Sequence, residues 1–177
     1  VRTGKSTFIK RFMELVVIPE MSDDNEKVRT IDELPQSADG KTIMTTEPKF
    51  IPKEAAVIHF SNQETGKIRL IDCVGYLVPE AVGAIEEEKE RMVKTPWSEE
   101  EIPFSKAAEI GTSKVIREHS NLGLIITTDG SFGDIAAANF EEALQKTVME
   151  CEKAGKPFLI LVNTSRPDSQ ETIQFKK

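Results

Sequence analysis

The sequence predicts an α/β fold of three layers, with helices on both sides of a mostly parallel sheet and one antiparallel hairpin strand. Three observations predict it. Gly4-Lys5-Ser6-Thr7 opens a helical pattern. An apolar strand, Lys67 to Asp72, runs straight into Asp72-Cys73-Val74-Gly75. Two further apolar runs, Leu122–Thr128 and Phe158–Val162, have strand length and flank an amphipathic helix, the arrangement of a parallel sheet.

Gly-Lys-Ser-Thr is the second half of the phosphate-binding loop G-x-x-x-x-G-K-[ST]. Val1, Arg2 and Thr3 fill the last three of its four variable positions, so the first glycine and the strand that delivers the loop are expected before Val1. The residue types follow from the chemistry. Gly4 lets backbone N–H groups approach phosphate oxygens. Lys5 supplies positive charge for the β- and γ-phosphates, Ser6 a hydroxyl for Mg²⁺, and the helix continuing through Thr7 points its positive end at the anion.

At 177 residues the chain can bury one full core. A formal net charge of −7 argues against a nucleic-acid partner, which calls for a basic patch. The acidic residues gather in Glu20–Glu33 and Glu80–Glu101, as solvated loops or helix faces do. Cys73 and Cys151 lie far apart and, with His59 and His119, have no zinc-ligand spacing; a reducing cytosolic compartment fits them. No apolar run approaches membrane-spanning length.

Taken in order, Ser6 to about Val17 reads as a helix with Phe8, Phe12, Leu15 and Val16 as its apolar stripe, ended by Pro19. Residues 21–42 read as a long polar surface loop, with at most a short helix near Ile31–Leu34. Thr45 and Thr46 stand where GTPase-like enzymes place a threonine that closes over Mg²⁺ and the γ-phosphate. Ala55–Phe60 and Lys67–Asp72 form a hairpin around Ser61–Gly66. At the end of its second strand Asp72 is placed to hold Mg²⁺ and the Gly75 N–H to sense the γ-phosphate. Tyr76 occupies the place of the glutamine that orients water in many GTPases. Hydrolysis then needs Thr45 or Thr46, a partner's group or another subunit, and slow intrinsic turnover is expected.

Residues 77–104 read as a charged insertion whose helical run, Glu86–Arg91, is broken by Thr95-Pro96-Trp97 and Ile102-Pro103-Phe104. Ser105–His119 reads as a helix with Ala107, Ala108, Ile110, Val115 and Ile116 apolar, and Leu122–Thr128 as a central strand. Thr128–Asp134 lies at that strand's carboxyl end, where open α/β sheets bind ligands. Asn139–Ala154 is an amphipathic helix with Cys151 on its apolar stripe, followed by Gly155 and the buried strand Phe158–Val162.

The segment after that strand bears on the base. GTPases end it in [N/T]-K-x-D, whose aspartate accepts from guanine. Here Asn163 is kept, Thr164 stands in the lysine place and Arg166 in the aspartate place, with Asp168 two residues too late. Arginine cannot accept a hydrogen bond. Adenine therefore fits a GTPase-like frame better than guanine does.

Several joined stretches resemble the stage IV sporulation protein A family of endospore-forming bacteria. They are Val1 to Phe12, Asp32 to Ala38, Lys41 to Pro52, Arg69 to Tyr76, Arg91 to Trp97 and Thr127 to Gly133. The resemblance implies a domain derived from translation-factor-type GTPases that binds and hydrolyses ATP with Mg²⁺. It makes Lys5 the phosphate-loop lysine, Asp72 the aspartate on the Mg²⁺ side and Thr45 and Thr46 the sensor threonines. It implies self-assembly into a static polymer, the base layer of the spore coat, on the forespore surface in the mother-cell cytoplasm. Other coat proteins and a small amphipathic membrane-bound peptide are the implied partners. The expected domain is an N-terminal P-loop ATPase spanning residues 1–177, without its first strand, its first loop glycine or the family's downstream regions. Two other readings stay open: a nucleotide-dependent switch that recruits partners and reverses on hydrolysis, with GTP as an option for its nucleotide, and a scaffold whose site has decayed.

Overall fold

A computed structural model describes residues 3–35, 47–60, 64–79, 85–86, 89–131 and 135–175. They form two compact units, one from described residues within 4–39 and 48–72, the other from those within 1–3, 40–47 and 73–177.

The smaller unit packs two helices on an antiparallel hairpin. Helix α1 spans Lys5–Phe12 and continues through a π-helical segment, Met13–Val17, into a last turn, Ile18–Glu20. Pro19 does not end the helix. It sits in the first positions of that last turn, where its missing N–H costs nothing. The buried face is Ile9, Met13 and Val17, four residues apart, while Leu15 is 72% and Val16 45% exposed. The expected stripe through Leu15 and Val16 is thus corrected: the buried stripe runs through Ile9, Met13 and Val17, and Leu15 and Val16 lie off it.

Helix α2, Asp24–Glu33, takes the place of much of the loop expected over 21–42 and is longer than the short helix expected near Ile31–Leu34, while residues 36–42 lie outside the described residues. Asp23 caps it, accepting from the N–H groups of Asn25 at 2.7 Å and Glu26 at 3.2 Å. Val28 and Ile31 point to solvent, so no apolar stripe announces this helix. Strands β1, Lys49–His59, and β2, Thr65–Asp72, pair antiparallel, with a bulge between Ile51 and Ala56 that accommodates Pro52. Ala56 and Ile58 alternate inward and join Ile9, Met13, Val17, Met21, Leu34 and Ile51 in one core.

In the larger unit, the charged stretch before residue 104 forms small hairpins rather than a broken helix. Ile85–Glu86 (β3) pairs with Lys89–Glu90 (β4), and Met92–Thr95 (β5) with Ser98–Pro103 (β6), turning at Pro96-Trp97. Helix α3, Phe104–Lys114, carries on as a π-helical segment, Val115–His119. Phe104 is fully buried, with the Arg91 guanidinium 5.0 Å above its ring.

Strand β7, Gly123–Thr128, pairs in parallel with β8, Phe158–Asn163. A 3₁₀ turn, Ala137–Phe140, and helix α4, Glu141–Lys153, connect them, which is the βαβ unit expected. Ile116, Ile125 and Cys151 form its core with Leu144, Val148 and Phe158 against them. Burial pushes the Cys151 thiol pKa up, with the charge of Glu150 adding to it, so Cys151 is core and not a nucleophile. Strand β8 is not the buried strand expected, since Leu159 and Ile160 are 56% and 45% exposed. A last helix, α5, spans Gln170–Phe175.

The fold is therefore α/β, with one parallel pair and three antiparallel pairs among the described residues. No described helix is long and apolar enough to cross a membrane.

Candidate functional site

Gly4, Lys5, Ser6, Thr7 and Asp72 all lie in the smaller unit. Gly4 precedes α1 with φ 85° and ψ 13°, a left-handed conformation that a side chain would strain. Its carbonyl accepts from the Phe8 N–H at 2.8 Å and starts the helix. The first turn of α1 carries no acidic residue and no side-chain cap. Its leading N–H groups thus remain a site suited to an anion.

Asp72 ends β2, and both its carboxylate oxygens are engaged by the start of α1. The Lys5 ammonium pairs with Oδ1, and the Ser6 hydroxyl donates to Oδ2 at 2.9 Å. A hydroxyl and a carboxylate meeting this closely are the oxygen donor set that Mg²⁺ prefers. The residues present therefore fit the metal, with Lys5 now supplying the positive charge beside Asp72. Thr7 is exposed one position further along the helix.

Gly75 and Asn163 lie in the larger unit. Gly75 has φ 80°, and a Cβ there would meet nothing within 4 Å, so the backbone alone demands glycine. Next to it, Tyr76 lines a cleft of about 480 Å³ with Glu109, Ser113, Lys146 and Glu150. Burial, then the charges of Glu150 and Glu109, push the Tyr76 phenol up to about 12. At neutral pH that phenol cannot accept a proton. Glu150 itself is held by Arg117 Nε at 2.6 Å and Ser113 Oγ at 2.7 Å.

Asn163, at the end of β8, donates from Nδ2 to the Thr3 carbonyl at 3.0 Å. Thr3 is buried and precedes Gly4 in the chain, so Asn163 braces the backbone just before Gly4. Thr45, Thr46, Val1 and Arg2 lie outside the described residues.

Sequence reasoning missed a second cluster, at the carboxyl ends of β7 and β8. Asp129 accepts from the Ser131 N–H at 3.0 Å, the Thr164 hydroxyl at 2.5 Å and the Thr172 hydroxyl at 3.1 Å. Ser165 N–H donates to Ser131 Oγ at 2.8 Å and Arg166 N–H to Thr164 Oγ1 at 3.0 Å. Desolvation alone would raise the Asp129 pKa, but the hydrogen bonds from Ser131, Thr164 and Thr172 outweigh it and hold the carboxyl well below its usual range. The signal the sequence offers is position: Thr128–Asp134 reads as the loop at a strand's carboxyl end, and that reading alone gives Asp129 no role.

The sequence profile described as "Stage IV sporulation protein A, ATPase domain" matches residues 1–177. The chain belongs to this family. Stage IV sporulation protein A of Bacillus subtilis (strain 168) is 57% identical over 172 residues, which is 97% of this chain and 35% of that protein. The protein of the same name from Bacillus anthracis is 54% identical over 177 residues, 100% of this chain and 36% of the relative. That of Clostridioides difficile (strain 630) is 49% identical over 172 residues, 97% of this chain and 35% of the relative. The chain thus spans about a third of the length of these curated relatives. No solved structure matches it significantly.

Proposed function

We propose that this domain is a three-layer P-loop ATPase that binds ATP with Mg²⁺ and hydrolyses it. The observation that carries the reading is the convergence of Lys5 and Ser6 on the two oxygens of Asp72. Residues 66 positions apart meet where a triphosphate site needs a cation, a hydroxyl and a carboxylate together. Ser6 and Asp72 would hold the metal, which when bound offsets the charge that develops on the phosphates. Lys5 exchanges Asp72 for the phosphate oxygens, and the Gly75 N–H answers the γ-phosphate. Thr45 and Thr46 are the proposed sensor threonines. Tyr76, with its phenol pushed up to about 12, does not serve as base, which supports slow intrinsic turnover.

In the intact protein, hydrolysis drives assembly of a static polymer, the base layer of the spore coat, at the forespore surface in the mother cell. Other coat proteins and a small amphipathic membrane-bound peptide are its proposed partners, reached through regions beyond this domain. Family membership and the sporulation names of the relatives support this reading. The test is phosphate release by the intact protein, with Asp72→Ala as control and sedimentation of the product after hydrolysis. Release that Asp72→Ala abolishes, with a polymer that persists, supports the reading. Equal rates in both proteins, or a polymer that dissolves on hydrolysis as a GTP switch would, overturn it. Assembly unchanged in Lys5→Ala would favour a scaffold with a decayed site.

A further inference from the structure

Lys5, Ser6 and Asp72 belong to one compact unit, and Asp72 turns both carboxylate oxygens to the start of α1. The Lys5 ammonium pairs with Oδ1, and the Ser6 hydroxyl donates to Oδ2 at 2.9 Å. The ion pair is not a loose surface contact. The Lys5 side chain is 28% and the Asp72 side chain 16% exposed, so water screens the pair only in part. The two partners respond differently to a metal. Ser6 spends its proton on Asp72 but keeps its oxygen lone pairs, so its hydrogen bond is compatible with ligation. The Lys5 ammonium has no lone pair to offer, and it takes the oxygen and the charge that a cation needs.

Mg²⁺ gives up water reluctantly and is held by one or two carboxylates together with substrate phosphates. At Asp72 it has to compete with an ammonium for a carboxylate whose charge is already matched. A phosphate changes both sides of that competition. It draws the ammonium off Oδ1, which restores the negative charge of Asp72, and it brings oxygens of its own. The coupling is reciprocal. While Asp72 retains Lys5, the ammonium is withheld from phosphate, and a cation on Asp72 releases it.

We propose that the Lys5–Asp72 ion pair is a latch that keeps the metal site shut until a phosphate takes the ammonium, so that divalent cation and nucleoside triphosphate enter together and each alone binds weakly. The inference rests on the ATPase reading above. It goes beyond that reading in giving Lys5 and Asp72 a task before any phosphate is cleaved. The latch is therefore read in binding, not in turnover.

The experiment is equilibrium binding to the intact protein, in two arms. In the first, Mn²⁺ without nucleotide is the probe, because it takes the same oxygen ligands and its free ion is counted by electron paramagnetic resonance. Lys5→Met keeps the stem and removes the charge. It should bind Mn²⁺ about 10-fold more tightly than the parent, an ordinary size for coupling between two ligands. Adding Asp72→Asn should abolish the gain. In the second arm, ATP binds in the presence of EDTA. Asp72→Asn releases Lys5 and should tighten metal-free ATP about 10-fold. In the Lys5→Met background the same substitution should change ATP affinity by less than about twofold, because a general loss of negative charge would act in both backgrounds and release of Lys5 in only one. Lys5→Gln, whose amide still donates to Oδ1, replaces Lys5→Met if thermal midpoints show that Lys5→Met does not fold. Unchanged Mn²⁺ affinity in the folded Lys5 variant, or an equal change of ATP affinity in both backgrounds, overturns the latch and leaves the ATPase reading standing. Failure of the parent to bind ATP with Mg²⁺ present overturns the ATPase reading, and the latch with it.

Discussion

Ser6 and Asp72 meet at 2.9 Å although 66 positions separate them. The same carboxylate takes the Lys5 ammonium on its other oxygen. One residue at the end of β2 therefore holds both functional side chains at the start of α1. Asp72→Asn keeps an oxygen for Ser6 but removes the charge that pairs with Lys5 and, in the proposed site, with Mg²⁺. We expect it to lower kcat for ATP hydrolysis by about 10²-fold or more, the scale of removing one electrostatic element from a reacting centre. Lys5→Ala should reduce kcat/KM at least as far, measured by phosphate release. A loss under about threefold in both would remove this pair from the chemistry.

Gly75, three positions after Asp72, tests whether backbone conformation or space constrains the residue there. A Cβ would have room, with nothing within 4 Å, yet φ is 80°. Gly75→Ala should therefore destabilise by about 1–2 kcal/mol through strain alone. Chemical denaturation measures it. Gly66→Ala is a useful contrast: its new Cβ would lie 2.8 Å from the Phe60 ring, so its cost is steric.

Asn163 distinguishes bracing from base reading. Its amide reaches the Thr3 carbonyl, just before Gly4. Asn163→Ala removes a hydrogen bond worth about 1 kcal/mol. It should raise KM for ATP and for GTP by a similar factor, roughly fivefold. A KM that rises for one base only would show instead that Asn163 contacts the base.

The meeting of Lys5 and Ser6 with Asp72 follows a spacing that the sequence displays, because the proposed phosphate chemistry needs Gly4, Lys5 and Ser6 consecutive and Asp72 at a strand end. Packing was less legible. In the first helical stretch Phe8, Phe12, Leu15 and Val16 suggest one apolar stripe, but Ile9, Met13 and Val17, equally apolar and also at helical spacing, form the buried one. Helix α2 hid behind outward-facing Val28 and Ile31, though Asp23 followed three residues later by Glu26 is a capping-box pattern that could have revealed it. The Asp129 cluster has no sequence signature. Its members Thr164 and Thr172 lie 35 and 43 positions from Asp129, and hydroxyl networks impose no fixed spacing.

Two adjacent threonines at the end of β7 should respond in opposite directions. Thr127 Oγ1 is buried and has no hydrogen-bond partner among the described residues. Thr128 Oγ1 accepts from the Gly130 N–H at 3.1 Å. An unpaired buried hydroxyl costs about 1–3 kcal/mol, and valine has the same shape. Thr127→Val should therefore stabilise the protein by about 1 kcal/mol, whereas Thr128→Val should destabilise it by a similar amount. Thermal or urea midpoints of the two variants, measured side by side, decide the point.

Acid stability should reflect Glu150 and Asp129. The hydrogen bond from Arg117, then that from Ser113, lower the Glu150 pKa in the folded chain. For Asp129, hydrogen bonds from Ser131, Thr164 and Thr172 prevail over desolvation in the same direction. A carboxyl with a lower pKa folded than unfolded binds more protons when unfolded, so stability falls as pH falls. The contribution is fully present above the ordinary values of 4.5 for Glu150 and 3.8 for Asp129 and is lost on acidification below them. Urea midpoints should stay level from pH 7 to about 5 and then decline. Glu150→Gln should be less stable than the parent at pH 7 and lose less on acidification, so that the two curves converge at low pH. Curves that stay parallel throughout would show that Glu150 keeps its ordinary pKa and that its bonds to Arg117 and Ser113 do not depend on its charge.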